Sequence, residues 1–90
     1  MTKAQLIEEL AVKVGLTKKT AADAVNVLLK LISDTVAKGG RVVLTGFGTF
    51  ELRQRRARKG RNPQTGEVIE IPARRVPGFT AGKAFKRAVQ

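Results

Sequence analysis

From Ala21 to Val36 the chain carries more apolar surface than its other helix can cover. Ala21, Val25, Leu28, Leu29, Ile32 and Val36 recur three and four apart and form one stripe, which Ala24, Val27 and Leu31 widen onto a neighbouring face. The pattern predicts a helix over about residues 18–38, with Thr17 as its cap and Gly39-Gly40 as its stop. A shorter helix precedes it, over about residues 3–14. Thr2 and Gln5 are spaced as a capping box, Leu6, Ile7, Leu10, Ala11 and Val14 form its apolar face, and Gly15 comes next as a C′ glycine. One short helix covers only part of so wide a stripe. Ninety residues make one domain that buries a modest fraction of its surface. Association with a second copy of the chain would therefore help it.

After Gly40 the period changes from helical to alternating. Arg41-Val42-Val43-Leu44-Thr45 reads as a strand, Gly46-Phe47-Gly48 as a turn, and Thr49 to Arg53 as a second strand. Past Leu52 the apolar residues stop, and only Ala57 is aliphatic before Val68. Asn62-Pro63-Gln64-Thr65-Gly66 is a turn signal, with Val68-Ile69-Glu70-Ile71 returning as a strand. Pro72 and Pro77 confine the last extended segment to a sheet edge. Thr80 is placed to cap a last helix over about residues 81–89, with Lys83, Lys86 and Arg87 outward and Ala84, Phe85, Ala88 and Val89 inward. Residues 53–74 then form a two-stranded ribbon that leaves the core. A ribbon with no apolar face is marginal alone and is expected to be mobile until a partner orders it.

The charge is as uneven as the apolar pattern. Eighteen Lys and Arg against seven acids leave +11. Residues 1–40 hold six lysines and four acids, whereas residues 41–90 hold twelve basic residues and three acids. Arg53, Arg55, Arg56, Arg58, Lys59 and Arg61 fall within nine residues with no acid among them. A solvated charged surface would interleave acids, so a polyanionic partner is the better reading. Cations that displace condensed counterions from nucleic-acid phosphates bind without reading base sequence. Alternation would place Arg53 and Arg55 on one face of the ribbon and Arg56 and Arg58 on the other.

Several functions fit poorly. The chain has no Cys, His, Tyr or Trp, which removes disulfides, Cys-based metal sites and the commonest acid–base catalyst. The acids are not paired as a catalytic or metal set; Glu8 and Glu9 read as an exposed helix face. A non-enzyme with no cofactor and no metal is expected. The polar start and the lack of a long apolar run lead to the expectation of a soluble, cytoplasmic protein. Phe47, Phe50, Phe79 and Phe85 could stack on single-stranded bases, but their core-like spacing favours packing. Pro63 has two compatible readings: a residue that sets the turn, or a rigid wedge that enters a base step in the minor groove. An RNA-binding or ribosome-associated protein is the alternative to a DNA binder, and a nuclease the more distant one. A narrow ribbon suits the B-form minor groove better than the wide, shallow A-form one.

Gly46-Phe47-Gly48-Thr49-Phe50 and Ala57-Arg58-Lys59-Gly60-Arg61-Asn62-Pro63-Gln64-Thr65-Gly66, together with Ile71-Pro72-Ala73, Val76-Pro77-Gly78-Phe79 and Gly82-Lys83, carry a family resemblance. The chain resembles the bacterial HU family, which includes integration host factor, along essentially its whole length. Val76-Pro77-Gly78-Phe79 looks more like HU. The resemblance implies an α+β fold with two N-terminal helices, a three-stranded antiparallel sheet with a long β-ribbon arm, and a short C-terminal helix. Residues 1–40 would be a helical dimerisation base, 41–52 and 75–80 a saddle, 53–74 the arm and 81–90 the last helix.

It also implies an intertwined dimer, homodimeric or with a related subunit, closed by Leu6, Leu29, Ile32, Val36, Leu44, Phe47, Phe50 and Phe79. Pro63 would be the intercalating residue; apolar wedges are a known device of minor-groove architectural proteins, HU and integration host factor among them. Expected DNA contacts are Arg53, Arg55, Arg56, Arg58, Lys59, Arg61, Asn62, Pro63, Gln64, Arg74 and Arg75 on the arm. Lys3, the backbone at Gly46 and Gly48, and Lys83 and Lys86 are expected on the flanks. The implied function is non-sequence-specific binding, bending and compaction of double-stranded chromosomal DNA in the nucleoid, favouring bent, nicked or distorted forms. Two departures stand out. Gln54 replaces an acid frequent in relatives, and Thr80-Ala81 stands where a basic residue and a proline are frequent.

Overall fold

The computed structural model describes residues 1–90 as three helices and five strands. It divides into two compact units, Met1–Asp34 and Thr35–Gln90.

In the first unit, helix α1 (Lys3–Val14) starts at the expected capping box. The Thr2 side chain accepts from the Gln5 amide, and the Gln5 side chain accepts from the Thr2 amide. Gly15 ends it at φ 78°, and the amides of Gly15 and Leu16 both donate to the Ala11 carbonyl. Helix α2 (Lys18–Ala37) begins where the Thr17 hydroxyl accepts from the Thr20 amide. An ion pair of 3.2 Å joins Lys18 to Glu8. Ala11, Ala21 and Val25 are the only buried apolar side chains of this unit. Leu6 and Leu28 remain about half exposed, and Leu29 (46%) and Leu31 (60%) are similarly open. An open groove lined by Met1, Leu6, Leu10, Val25, Leu28 and Leu29 runs along the unit. The wide stripe therefore exists as predicted; Ala21 and Val25 are covered, and Leu28, Leu29 and Leu31 are not.

In the second unit, α2 ends as Gly39 and Gly40 donate back to the carbonyls of Val36 and Thr35. Strands β1 (Val42–Leu44), β2 (Gly48–Arg55) and β5 (Arg74–Ala81) form an antiparallel sheet in the order β1-β2-β5. Strand β1 is shorter than the alternation suggested. The turn into β2 is closed by the Phe47 amide on the Leu44 carbonyl, with Gly46 at φ 89°, the sign a type II turn needs at its third position. Pro77 lies in β5, an edge strand, as the missing N–H requires.

Cross-strand partners share a face, so the register separates two surfaces. Val42, Leu44, Phe50, Leu52, Pro77 and Phe79 lie on one; Thr49, Glu51, Arg53, Arg55, Arg74, Val76, Gly78 and Thr80 lie on the other. On the apolar side Phe79 meets Phe50 (ring centroids 4.7 Å apart) and Phe47 (5.4 Å), and Phe47 stacks on Phe85 at 4.8 Å. The phenylalanines form a packed cluster, although Phe47 (44% exposed) and Phe79 (36%) keep open surface.

The last helix differs from expectation. Helix α3 is Lys83–Ala88, and its N-cap is Gly82, with no side-chain cap. Thr80 is still in β5, because pairing with Thr49 holds it extended. Only Phe85 of α3 is half-buried; Ala84 and Ala88 are exposed, and Val89 is the C-cap at 74% exposure.

Gly48 sets how closely the cluster can pack. A Cβ built there would overlap the Phe79 ring and lie 2.6 Å from the Thr80 carbonyl oxygen. Gly48→Ala is expected to cost about 1–3 kcal/mol through overpacking, read as a lower thermal midpoint than wild type.

Candidate nucleic-acid interface

The arm is a continuation of the sheet's central ladder. Strands β2 and β5 pair as far as Arg55 with Arg74, and β3 (Arg58–Arg61) pairs with β4 (Val68–Ile71) beginning at Arg58 with Ile71. Stepping along the ladder from Arg55↔Arg74 leads to Arg58↔Ile71, so no residue is gained or lost across the gap. Arg56-Ala57 and Pro72-Ala73 fill two rungs that do not pair. Pro72 brings no N–H to such a rung, which gives the interruption a local cause. The arm is thus one ribbon of unbroken register with a break near its base. Arg53 and Arg55 share a face and Arg58 is out of phase with them, as alternation implied. Arg56 lies in the break, where the pairing that defined its face is absent.

The tip is built by local hydrogen bonds. The Asn62 side chain accepts from the Gln64 amide at 2.9 Å, and the Gly66 amide donates to the Asn62 carbonyl at 2.7 Å. Gly66 takes φ 72°, and the Thr65 hydroxyl accepts from the Glu67 amide. Pro63 sits exposed in this turn, where its fixed φ is suited to the bend. The turn role is visible. An exposed proline at the extremity of a ribbon is also placed as a wedge must be.

The ribbon is not without apolar surface, contrary to expectation. Ile69 and Ile71 share a face on β4, and a Cβ at Gly60 would lie 3.1 Å from the terminal carbon of Ile71. Gly60 therefore makes room for an isoleucine pair across the ribbon. The outgoing strand is bare of aliphatics, but the return strand supplies a small patch. Val68 (59%) and Ile69 (45%) remain open.

The expected cations divide by what already holds them. Arg55, Arg56, Arg58, Lys59, Arg61 and Arg74 are exposed, and the three ion pairs lie elsewhere, at Lys18–Glu8, Lys30–Asp34 and Arg41–Glu51. Lys59 stands opposite Glu70 in the ladder without an ion pair. Arg53 donates to the Thr80 hydroxyl at 3.2 Å. Arg75 falls on the other face of the sheet from Arg53, Arg55 and Arg74, and donates to the Ala37 carbonyl at 3.2 Å. It braces the C-terminal end of α2, where a cation also meets the negative end of the helix dipole.

Lys83 and Lys86 are exposed on α3, and Lys3 is exposed at the start of α1 in the other unit. Gly46 presents exposed backbone, whereas Gly48 is buried beneath Phe79. Sequence reasoning missed Arg41, whose pairing with Glu51 at 3.3 Å masks the one acid on the polar face. It also missed Gly78 and Thr80 as neighbours of Arg53. Strand alternation carried that signal, but only once the β2–β5 register was known.

Of the expected dimer residues, Leu6, Leu29, Phe47 and Phe79 are exposed and Ile32, Leu44 and Phe50 are half-buried. Val36 is already buried within the single chain at 6%. No cluster of His, Cys, Asp and Glu is placed to hold a metal ion, and no helix is long and apolar enough to cross a membrane.

All of residues 1–90 match the model of the bacterial DNA-binding protein family. The chain belongs to that family. It is 54% identical, over the full 90 residues of both, to DNA-binding protein HU of Staphylococcus aureus. With DNA-binding protein HU of Lactococcus lactis it shares 57% identity over 88 residues, covering 98% of this chain and 97% of that one. Among solved structures, the HU of an Anabaena HU–DNA cocrystal superposes with a TM-score of 0.90 at 48% identity, covering 99% of this chain and 97% of that one. HU from Thermotoga maritima gives 0.71 at 30% identity, with full coverage of both chains. The likeness at such identities makes this an HU-family chain with the HU fold.

Proposed function

We propose that this HU-family chain binds double-stranded DNA without sequence specificity, bends it and compacts chromosomal DNA, as a dimer whose two arms lie in the minor groove. The observation that carries this is the set of six exposed arm cations with no acid paired to them, on a ribbon that ends in exposed Pro63. Arg55, Arg56, Arg58, Lys59, Arg61 and Arg74 supply phosphate contacts, joined by Arg53 at the arm's base. Asn62 and Gln64 flank the tip and face the groove floor. Lys3, Lys83, Lys86 and the Gly46 backbone contact the flanks. Arg75 contributes through the guanidinium nitrogens not committed to Ala37. The Anabaena relative, an HU crystallised with DNA, supports DNA as the ligand.

The open apolar surface calls for the dimer. Leu28, Leu29 and Leu31 on α2 and the open edges of Phe47 and Phe79 need cover, and a second copy presents the same surfaces in return. Two arms on one dimer can hold a duplex from both sides, so DNA that is already bent, nicked or distorted costs less to seat. Work of this kind places the protein on the chromosome, in the nucleoid. No catalytic step is part of the proposal.

If each dimer makes about 6–10 phosphate contacts, affinity for duplex DNA falls about 10³–10⁵-fold between 50 and 200 mM salt. The titration is run in parallel on duplex RNA at one salt concentration. Tighter binding to DNA supports the minor-groove reading; clearly tighter binding to RNA would replace it with the RNA-binding one. Pro63→Ala is expected to lower DNA bending, read by ring closure of short fragments, more than it lowers affinity. Unchanged ring closure leaves Pro63 with its turn role alone.

A further inference from the structure

We propose that Thr80 is a positioning residue for Arg53, and that it holds the guanidinium across strand β5 as a preset phosphate contact on the polar face of the sheet. The inference rests on the DNA-binding reading above and deepens it at one residue.

Register supplies the track. Arg53 stands opposite Val76, and Gly78 and Thr80 are the next residues of β5 on the same face. Arg53 runs diagonally along that row. Its Nη2 donates to the Thr80 hydroxyl at 3.2 Å. Between the two ends it crosses Gly78 in close contact. A Cβ built at Gly78 would overlap Arg53 Nε and lie 2.6 Å from its Cδ and 2.7 Å from its Cζ. Gly78 does not have a positive φ, so its backbone does not require glycine. A side chain there would meet only the arginine laid over it, and would displace it.

Arg55 and Arg74 occupy the same face, directly opposite each other, and lack such an anchor. The difference matters for binding. A long cationic side chain loses rotamer freedom when a phosphate fixes it. The Thr80 hydroxyl gives Arg53 an anchor that restricts this freedom before a phosphate arrives. A guanidinium carries five N–H donors in a rigid fork, and the Thr80 bond uses one, so donors remain for a phosphate. Glu51 lies on the same face and is occupied by Arg41, which leaves Arg53 to the hydroxyl and the ligand.

The test is a titration of one duplex at several salt concentrations with Arg53→Gln, Thr80→Val, Thr80→Ser, Gly78→Ala and the Arg53→Gln/Thr80→Val double variant. Thermal midpoints are measured alongside. Arg53→Gln is expected to weaken binding and flatten the slope of log affinity against log salt by about 0.9 for each lost contact. Thr80→Val is expected to weaken binding about two- to tenfold by freeing the side chain. Its salt slope stays that of wild type, because Arg53 still reaches the phosphate. Gly78→Ala reproduces Thr80→Val by displacing Arg53, Thr80→Ser restores wild-type binding, and Thr80→Val adds nothing to Arg53→Gln. Wild-type affinity in Thr80→Val, with Arg53→Gln impaired, overturns the positioning role and leaves the phosphate contact standing. Thr80→Val that weakens the Arg53→Gln background as much as wild type, with a lowered thermal midpoint, marks a structural role and overturns it too. Wild-type affinity and slope in Arg53→Gln removes the contact itself.

Discussion

Leu28, Leu29 and Leu31 lie on one helix at exposures of 51%, 46% and 60%, and each square ångström of apolar surface left in water forgoes roughly 25 cal/mol. No large side chain in the chain is fully buried. A unit whose buried apolar set is Ala11, Ala21 and Val25 has the outline of a core and little of its content. Cover for the leucine face is what the first unit lacks. In the proposed dimer a second copy supplies that cover.

The second organising feature is the division of the sheet into two faces. Alternation in β2 and β5 sends Phe50, Leu52 and Phe79 to one side and Arg53, Arg55 and Arg74 to the other. One side collects aromatic contacts that call for burial, while the other collects cations that call for a polyanion. Gly48 lets Phe79 close over the backbone, and Gly78 lets Arg53 lie flat on the opposite face. Gly48 is required by the ring and backbone that crowd it, while Gly78 leaves the arginine its path. The same ladder then carries the register out to Pro63, through a break where Pro72 removes a donor.

Much of this was legible in the sequence because it rests on local physics. The capping box at Thr2 and Gln5, the Thr17 cap, the Gly15 stop and the Asn62–Gly66 turn are all formed by residues within a few positions of one another. The stripe on α2 was legible for the same reason, and its width announced missing cover. What failed depended on distant partners. Thr80 looks like a helix cap until pairing with Thr49 places it in β5. Ile69 and Ile71 count as an apolar face only when Gly60 is known to lie opposite. Arg75 is one more cation in a basic run until the register turns it toward Ala37. Family resemblance supplied the topology and the intertwined form of the dimer, which no periodicity in the chain could.

A second copy covering the leucine face is the central requirement, and thermal unfolding measured over a hundredfold range of chain concentration tests it most directly. A folded state that exists only as the dimer gives a midpoint that rises with concentration, by mass action. A midpoint independent of concentration, with the mass of one chain in solution, would contradict that requirement outright.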